Sequence, residues 1–186
     1  MTTILSRREL FLCGWRRVRD ATVPEPATAE PPTASFLRPP GALPESAFQV
    51  ACTRCDACLI ACPRESIRHA GHELGAEREG TPVLLPSQQP CWMCADLPCI
   101  VACETGALAA LASPRDARMG RVRVRAADCY AAQGNLCDVC AERCPIRPKA
   151  IAVSMGEAPE VDPELCTGCA VCAWLCPARA IDVHAR

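Results

Sequence analysis

Hydrophobic positions along the chain come in short bursts broken by cysteine, proline or charge. None approaches the roughly 18 residues a helix needs to cross a bilayer. Four bursts predict strands: Val83-Leu84-Leu85, Arg121 to Arg125, Ile151 to Met155 and Ile181 to Val183, where β-branched residues dominate or alternate with polar ones. Gly156-Glu157 predicts a turn that carries the third of these back against Glu160-Val161. Near the start, Ile4, Phe11, Trp15 and Val18 fall on one helical face flanked by arginines, the pattern of a short amphipathic helix suited to docking on a partner or a membrane surface.

The larger pattern is an internal repeat. Four sets of four cysteines begin at Cys52, Cys91, Cys129 and Cys166, in steps of 39, 38 and 37 residues. A small residue and then an aliphatic one follow each set: Ser66-Ile67, Ala107-Leu108 and Ala180-Ile181 at matching offsets, with Ala150-Ile151 displaced by two. Each unit therefore reads as a ligand loop, one short helical turn and an extended segment, which makes the fold class α+β with long loops. Seven prolines between Pro24 and Pro44 remove backbone donors and favour extended chain. The expected organisation is an Arg-rich amphipathic segment over 1–20, a proline-rich linker over 21–47 and a four-repeat body over 48–186.

Composition changes the picture by saying what fills the interior. Seventeen cysteines stand beside three Trp, one Tyr and three Phe, so the large side chains that normally fill a core are scarce. An odd cysteine count with no secretory signal argues against a disulfide scaffold and for metal. A net charge of −1 gives no basic field for nucleic acid. No Ser/His/Asp arrangement, phosphate loop or paired-carboxylate pocket stands out, so no substrate chemistry of its own is expected.

The first set reads Cys52-x2-Cys55-x2-Cys58-x3-Cys62-Pro63 and the last Cys166-x2-Cys169-x2-Cys172-x3-Cys176-Pro177. Three thiolates at x2 spacing wrap three corners of an iron–sulfur cube, and the fourth, one helical turn on, ligates a second cluster. The inner sets are irregular: Cys91-x2-Cys94-x4-Cys99-x3-Cys103, and Cys129-x7-Cys137-x2-Cys140-x3-Cys144-Pro145. Structural zinc is the competing reading, since C-x2-C pairs also build four-thiolate sites, but a C-x2-C-x2-C-x3-C-P run supplies too many ligands too close together. The sixteen cysteines thus predict four [4Fe–4S] clusters, or three should one set be vestigial. Because two equivalent motifs exchange their fourth cysteines, regular pairs with regular in the expected nested scheme. That scheme puts Cys52, Cys55 and Cys58 with Cys176; Cys166, Cys169 and Cys172 with Cys62; Cys91, Cys94 and Cys99 with Cys144; and Cys129, Cys137 and Cys140 with Cys103.

Three stretches carry a family resemblance: Arg38-Pro39-Pro40-Gly41-Ala42-Leu43-Pro44-Glu45, Cys91-Trp92-Met93-Cys94-Ala95-Asp96-Leu97-Pro98-Cys99, and Gln133-Gly134-Asn135-Leu136-Cys137-Asp138-Val139-Cys140. They resemble the ferredoxin-type proteins of nitrate respiration and methylamine utilisation, NapG and MauM, while Ser6-Arg7-Arg8 with Gly14-Trp15-Arg16-Arg17 is more similar to the start of NapF. These are relatives of the iron–sulfur subunits of the DMSO reductase group. The resemblance implies paired dicluster ferredoxin-like modules and electron transfer serving a molybdenum reductase of the nitrate reductase type. The expected partner is a redox protein: such a catalytic subunit, or a quinol-oxidising membrane subunit. The alternative it implies is a cytoplasmic maturation factor that binds the apo-reductase and helps insert its cluster.

Ser6-Arg7-Arg8 also resembles a twin-arginine export signal, which would make the protein periplasmic. The apolar stretch from Leu10 to Trp15, however, falls short of the ~7–15 residues of a functional signal before Arg16-Arg17 ends it, and no Ala-x-Ala site precedes the prolines; the expectation is therefore cytoplasmic. Trp92 and Trp174, between ligands, read as core filling. His69, His72 and His184 read as solvated, Cys13 as a plain thiol, and Arg54, Arg64, Arg143 and Arg147 as offsets to cluster charge.

Overall fold

The structure, a computed structural model, is described over residues 36–186. The amphipathic segment expected over 1–20, Cys13 and the first prolines lie outside these residues. In chain order the elements are α1 (Glu45–Ala51), α2 (Ala57–Ile60), β1 (Ile67–His69), β2 (Pro82–Leu84), α3 (Pro98–Val101), β3 (Gly120–Val124), α4 (Val139–Glu142), β4 (Ile151–Ala152), β5 (Glu160–Val161), α5 (Val171–Leu175) and β6 (Ile181–Ala185). They are short because ligand loops keep interrupting them. The strands form three antiparallel pairs: β1 with β2 (Ile67 opposite Leu84), β3 with β6 (Val122 opposite Val183) and β4 with β5 (Ile151 opposite Val161).

Each of the four expected strand segments contains a strand, and Gly156 at φ +79° lies in the expected turn between β4 and β5. β4 ends at Ala152, three residues before Met155, and β1 is the extended segment expected behind the first set, at Ser66-Ile67. The small–aliphatic pairs explain why the repeats superpose in plan. Ser66-Ile67, Ala107-Leu108, Ala150-Ile151 and Ala180-Ile181 are all buried, so each repeat turns the same two residues inward behind its last cysteine.

The ligand loops share a backbone plan that their spacings conceal. Helices α2, α3, α4 and α5 each carry the third cysteine of a set: Cys58, Cys99, Cys140 and Cys172. In three sets the residue just before the second cysteine, the residue two before the third, and the residue three after the fourth are all left-handed. These are Arg54, Asp56 and Glu65; Met93, Leu97 and Gly106; and Gly168, Ala170 and Arg179. Seven non-glycine side chains at these positions cost about 1–2 kcal/mol each for that conformation, which persists only where the surroundings impose it. The second set keeps the plan despite its x4 step. The third set has none of the three.

The expectation of a linker over 21–47 is corrected for its described part. Leu37 makes an isolated bridge with Leu84, Ala42 makes one with Leu108, and Pro39 and Pro40 are fully buried. The prolines fit because the bridges use the amides of neighbouring residues, which proline does not need to supply. Arg38 locks the segment down: its guanidinium forks onto Glu45 at 2.9 and 2.6 Å, reaches Thr81 Oγ1 and the Pro82 carbonyl, and lies 4.4 Å over the Phe48 ring. The Arg38 hydrogen bond holds the Glu45 carboxyl down at about 2.

One apolar cluster holds Leu37 and Phe48 together with Cys169, Val171 and Val183, so the two halves of the repeat share a core. Beside this core two glycines pack backbone on backbone. A Cβ on Gly168, at φ +73°, would meet Gly120 backbone atoms at 2.3–2.5 Å. Gly168→Ala combines a left-handed penalty with a backbone clash and should lower stability by roughly 2–5 kcal/mol. Thermal unfolding of the cluster-loaded protein, followed by circular dichroism, checks this.

Candidate metal centres

The structure gathers the cysteines into sets drawn from neighbouring repeats. Cys52, Cys55 and Cys58 share a cavity with Cys103. Cys91, Cys94 and Cys99 share the next with Cys62. Cys166, Cys169 and Cys172 share a third with Cys144. In the remaining set Cys137 and Cys129 are the thiols neighbouring Cys140, and Cys176 packs into the same apolar cluster as Cys129. All sixteen are free thiols.

This corrects the nested pairing. The fourth cysteines are exchanged between the first and second repeats and between the third and fourth. Local hydrogen bonds impose the result: the buried Ser66 hydroxyl, four residues after Cys62, donates to the Pro90 carbonyl at 2.7 Å and seats Cys91 beside Cys62. In the second half the amide of Arg125, ahead of Cys129, donates to the Ala180 carbonyl behind Cys176 at 2.8 Å, and the amide of Asp162, ahead of Cys166, donates to Ala150 behind Cys144 at 2.9 Å. The amide of Leu43, ahead of Cys52, donates to Ala107 behind Cys103 at 3.0 Å in the same manner.

The sets also adjoin one another. Cys58 feels Cys99, so the first two cavities are neighbours; Cys172 feels Cys140, so the last two are. Between the halves, the Cys91 amide donates to the Cys169 carbonyl at 3.0 Å. The order is therefore linear: first, second, third, fourth.

Burial dominates the chemistry of these thiols. It pushes Cys58 up to about 12, with Cys52, Cys103 and Cys99 adding to it, and Cys99 up to about 11, with Cys62 adding. Cys140 and Cys169 also rise to about 11, burial again leading; the Val171 amide and the Thr167 hydroxyl oppose the rise at Cys169. Cys91 and Cys172 are raised further for the same first reason. Cys103 goes the other way: burial raises it, but the Leu108 amide, at 3.3 Å from its sulfur, and the Thr105 hydroxyl and amide outweigh that and hold it low. Matching amides reach Cys62 from Ser66 and Cys176 from Ala180, each at 3.3 Å. At Cys144 the residue four on is Pro148, which has no N–H to give.

Four thiols in one apolar cavity cannot all ionise unless a cationic group joins them. Among the described residues no three His, Cys, Asp or Glu side chains converge closely enough for a single metal ion. A zinc site would draw its sulfurs to ~2.3 Å from one centre. The three cavities are alike in plan, each lined by four cysteines among mostly apolar side chains, and a group with several metal atoms suits sulfurs that are held apart in this way.

Residues 159–182 match the family model described as the 4Fe-4S binding domain. Over 153 residues the chain is 42% identical to the methylamine utilization ferredoxin-type protein MauM of Methylorubrum extorquens, covering 77% of this chain and 69% of that one. It is 40% identical over 152 residues to the ferredoxin-type protein NapG of Escherichia coli, covering 75% and 65%, and 34% identical over 185 residues to the ferredoxin-type protein NapF of the same organism, covering 96% and 94%. The chain belongs to the ferredoxin-type NapF/NapG/MauM family. As a member of that family it is an iron–sulfur protein of electron transport whose cofactor is the [4Fe–4S] cluster.

Around the cavities of this ferredoxin-type protein the other expected residues divide. Arg54 lines the first cavity and donates to the Glu79 and Glu77 carbonyls. Arg64 lines the second and lies 5.4 Å over the Trp92 ring. Arg143 and Arg147 are exposed, Arg147 capping the Cys144 and Ile146 carbonyls. His69, His72 and His184 are exposed. Trp174 is no core residue: it is 42% exposed and meets Trp92 edge-on at 6.0 Å. Thr167, 1% exposed against the third cavity, was overlooked; its one sequence signal is a hydroxyl directly after a ligand cysteine.

Because Cys58, Cys99, Cys140 and Cys169 titrate above their ordinary range, filling the cavities must expel protons, and iron binding weakens as pH falls. Anaerobic loading with iron and sulfide from about pH 6 to about pH 9 should give a brown absorbance that rises with pH, with proton release measurable in weakly buffered solution.

Proposed function

We propose that the chain is a polyferredoxin with four [4Fe–4S] clusters in a line, held by Cys52, Cys55, Cys58 and Cys103; Cys62, Cys91, Cys94 and Cys99; Cys144, Cys166, Cys169 and Cys172; and Cys129, Cys137, Cys140 and Cys176. Each cluster, when bound, takes up and returns one electron. The chain's own residues hold the clusters in series and keep water away from the middle of the series. It passes electrons to a redox partner, a molybdenum reductase of the nitrate reductase type, without substrate chemistry of its own.

The observation that carries this reading is the Cys91–Cys169 main-chain hydrogen bond, which sets the two central ligand sets against each other and makes one series of two modules. Residues 36–186 are then the cluster-bearing body. Anaerobically reconstituted protein should contain about sixteen iron and sixteen sulfide per chain. About twelve would leave one set empty, the irregular third being the candidate; stoichiometric zinc in a colourless protein would refute the reading.

A second reading, a maturation factor that binds an apo-reductase, is favoured by the near-complete mutual coverage with NapF. It requires at least one cluster that leaves the protein. Retention of all iron during incubation with an apo-reductase supports the electron carrier, and transfer of iron to the reductase supports the maturation factor.

Among the described residues no helix is long and apolar enough to cross a membrane. We place the protein in the cytoplasm, docking through residues 1–20, on the short apolar stretch that ends at Arg16-Arg17. Residues 1–46 fused to a reporter active only outside the cytoplasm should give no signal; activity that depends on Arg7 and Arg8 would reverse the assignment.

A further inference from the structure

Two buried side-chain polar atoms among the described residues lack a hydrogen-bond partner, Trp92 Nε1 and Thr167 Oγ1. Native interiors pair such atoms, so each needs an explanation. Their locations are not scattered. Trp92 lines the second cysteine cavity and Thr167 the third, the two central ones of the series.

Neither atom has a partner that meets hydrogen-bond geometry. The Thr167 main chain is already engaged, its carbonyl accepting from the Met119 amide at 2.9 Å, while its hydroxyl, close to the Cys169 sulfur, does not reach hydrogen-bond geometry with it. The Trp92 indole is fixed by Arg64 over its face at 5.4 Å and Trp174 at its edge at 6.0 Å, and its nitrogen can only donate. Apolar filling alone would be met by phenylalanine and valine, which leave no orphaned donor.

We propose that the Trp92 Nε1–H and the Thr167 Oγ1–H donate hydrogen bonds to sulfur atoms of the clusters in the second and third cavities and raise the reduction potential of these two central clusters. The inference rests on the cluster assignment proposed above. Reduction adds one electron and one negative charge to a cluster, and a hydrogen bond to its sulfur favours the more negative state. In the third cavity the hydroxyl also compensates for a missing donor. Cys62, Cys103 and Cys176 each accept a main-chain N–H at 3.3 Å, whereas among the described residues none reaches the Cys144 sulfur.

The test uses the full chain, purified anaerobically with its clusters. Iron and sulfide are counted on every sample, and the midpoint of each cluster is then followed by redox titration with electron paramagnetic resonance. Trp92→Phe and Thr167→Val should each shift one cluster's reduction equilibrium about tenfold against reduction, about 59 mV for one electron, leaving the others in place. Thr167→Ser keeps the hydroxyl and should keep the parent potential. Unchanged midpoints in fully loaded variants would overturn the inference, as would a Thr167→Ser protein that moves as far as Thr167→Val. An iron count below four clusters in the parent protein strikes the cluster assignment instead. Should Trp92→Phe not assemble, Trp15→Phe/Trp174→Phe protein labelled with nitrogen-15 indole, in which Trp92 is the one indole left, decides: hyperfine coupling between that nitrogen and a reduced cluster is expected, and its absence overturns the role of Trp92.

Discussion

Four thiols in each apolar cavity repel one another as thiolates and lose their hydration as thiols. This is the constraint on which the rest of the structure depends. With so few aromatic residues, the interior has no alternative filling: the apolar clusters themselves contain the cysteines, and Phe48 is the sole aromatic side chain fully buried among the described residues. The rise of Cys58, Cys99, Cys140 and Cys169, led in each case by burial, measures how poorly these positions suit empty thiols. A cationic multi-iron group resolves the repulsion and the desolvation together and completes the core.

The backbone answers the same constraint. Left-handed residues bracket the second, third and fourth cysteines at the same places in three of the four sets. Seven of the nine positions carry side chains that resist this conformation, so the strain is concentrated around the cysteine cavities. The third set lacks all three left-handed residues and also lacks the amide on its fourth cysteine, Cys144. Its longer loop, Cys129 to Cys137, follows a different path to its cavity, and Cys144 serves the neighbouring cavity from a loop two residues longer than its counterparts.

Much of this was legible in the sequence, because periodic cysteines and periodic small–aliphatic pairs report a ligand plan and its buried support directly. The family and its cofactor could be read from the motifs. The partner of each fourth cysteine could not. Regular spacing suggested that like pairs with like, but spacing says nothing about distance in space; a serine hydroxyl on the Pro90 carbonyl and three main-chain clasps decide it, and none leaves a mark in the cysteine pattern. The prolines misled for a related reason. Composition reports how proline restricts the chain, but not that Leu37 and Leu43 supply the bridging amides while Pro39 and Pro40 pack inward.

The distribution of burial along the series bears on how it would work. Cys169 and Cys172 in the third cavity are buried, and Cys91 in the second is among the thiols most strongly raised by burial. At the outer end of the first cavity Cys55 is exposed, with Ile60 and Val101 exposed on helices α2 and α3 beside it. At the fourth set Tyr130 and Leu136 stand exposed next to the ligands Cys129 and Cys137. The third cavity is the most closed, with three of its four cysteines buried, and apolar side chains stand exposed beside the first and the fourth, which favours exchange with partners at the ends. The Arg64–Trp92–Trp174 stack lies where the two halves meet, and it closes the junction with side chains whose donor faces inward only if a cluster sulfur is there to accept it.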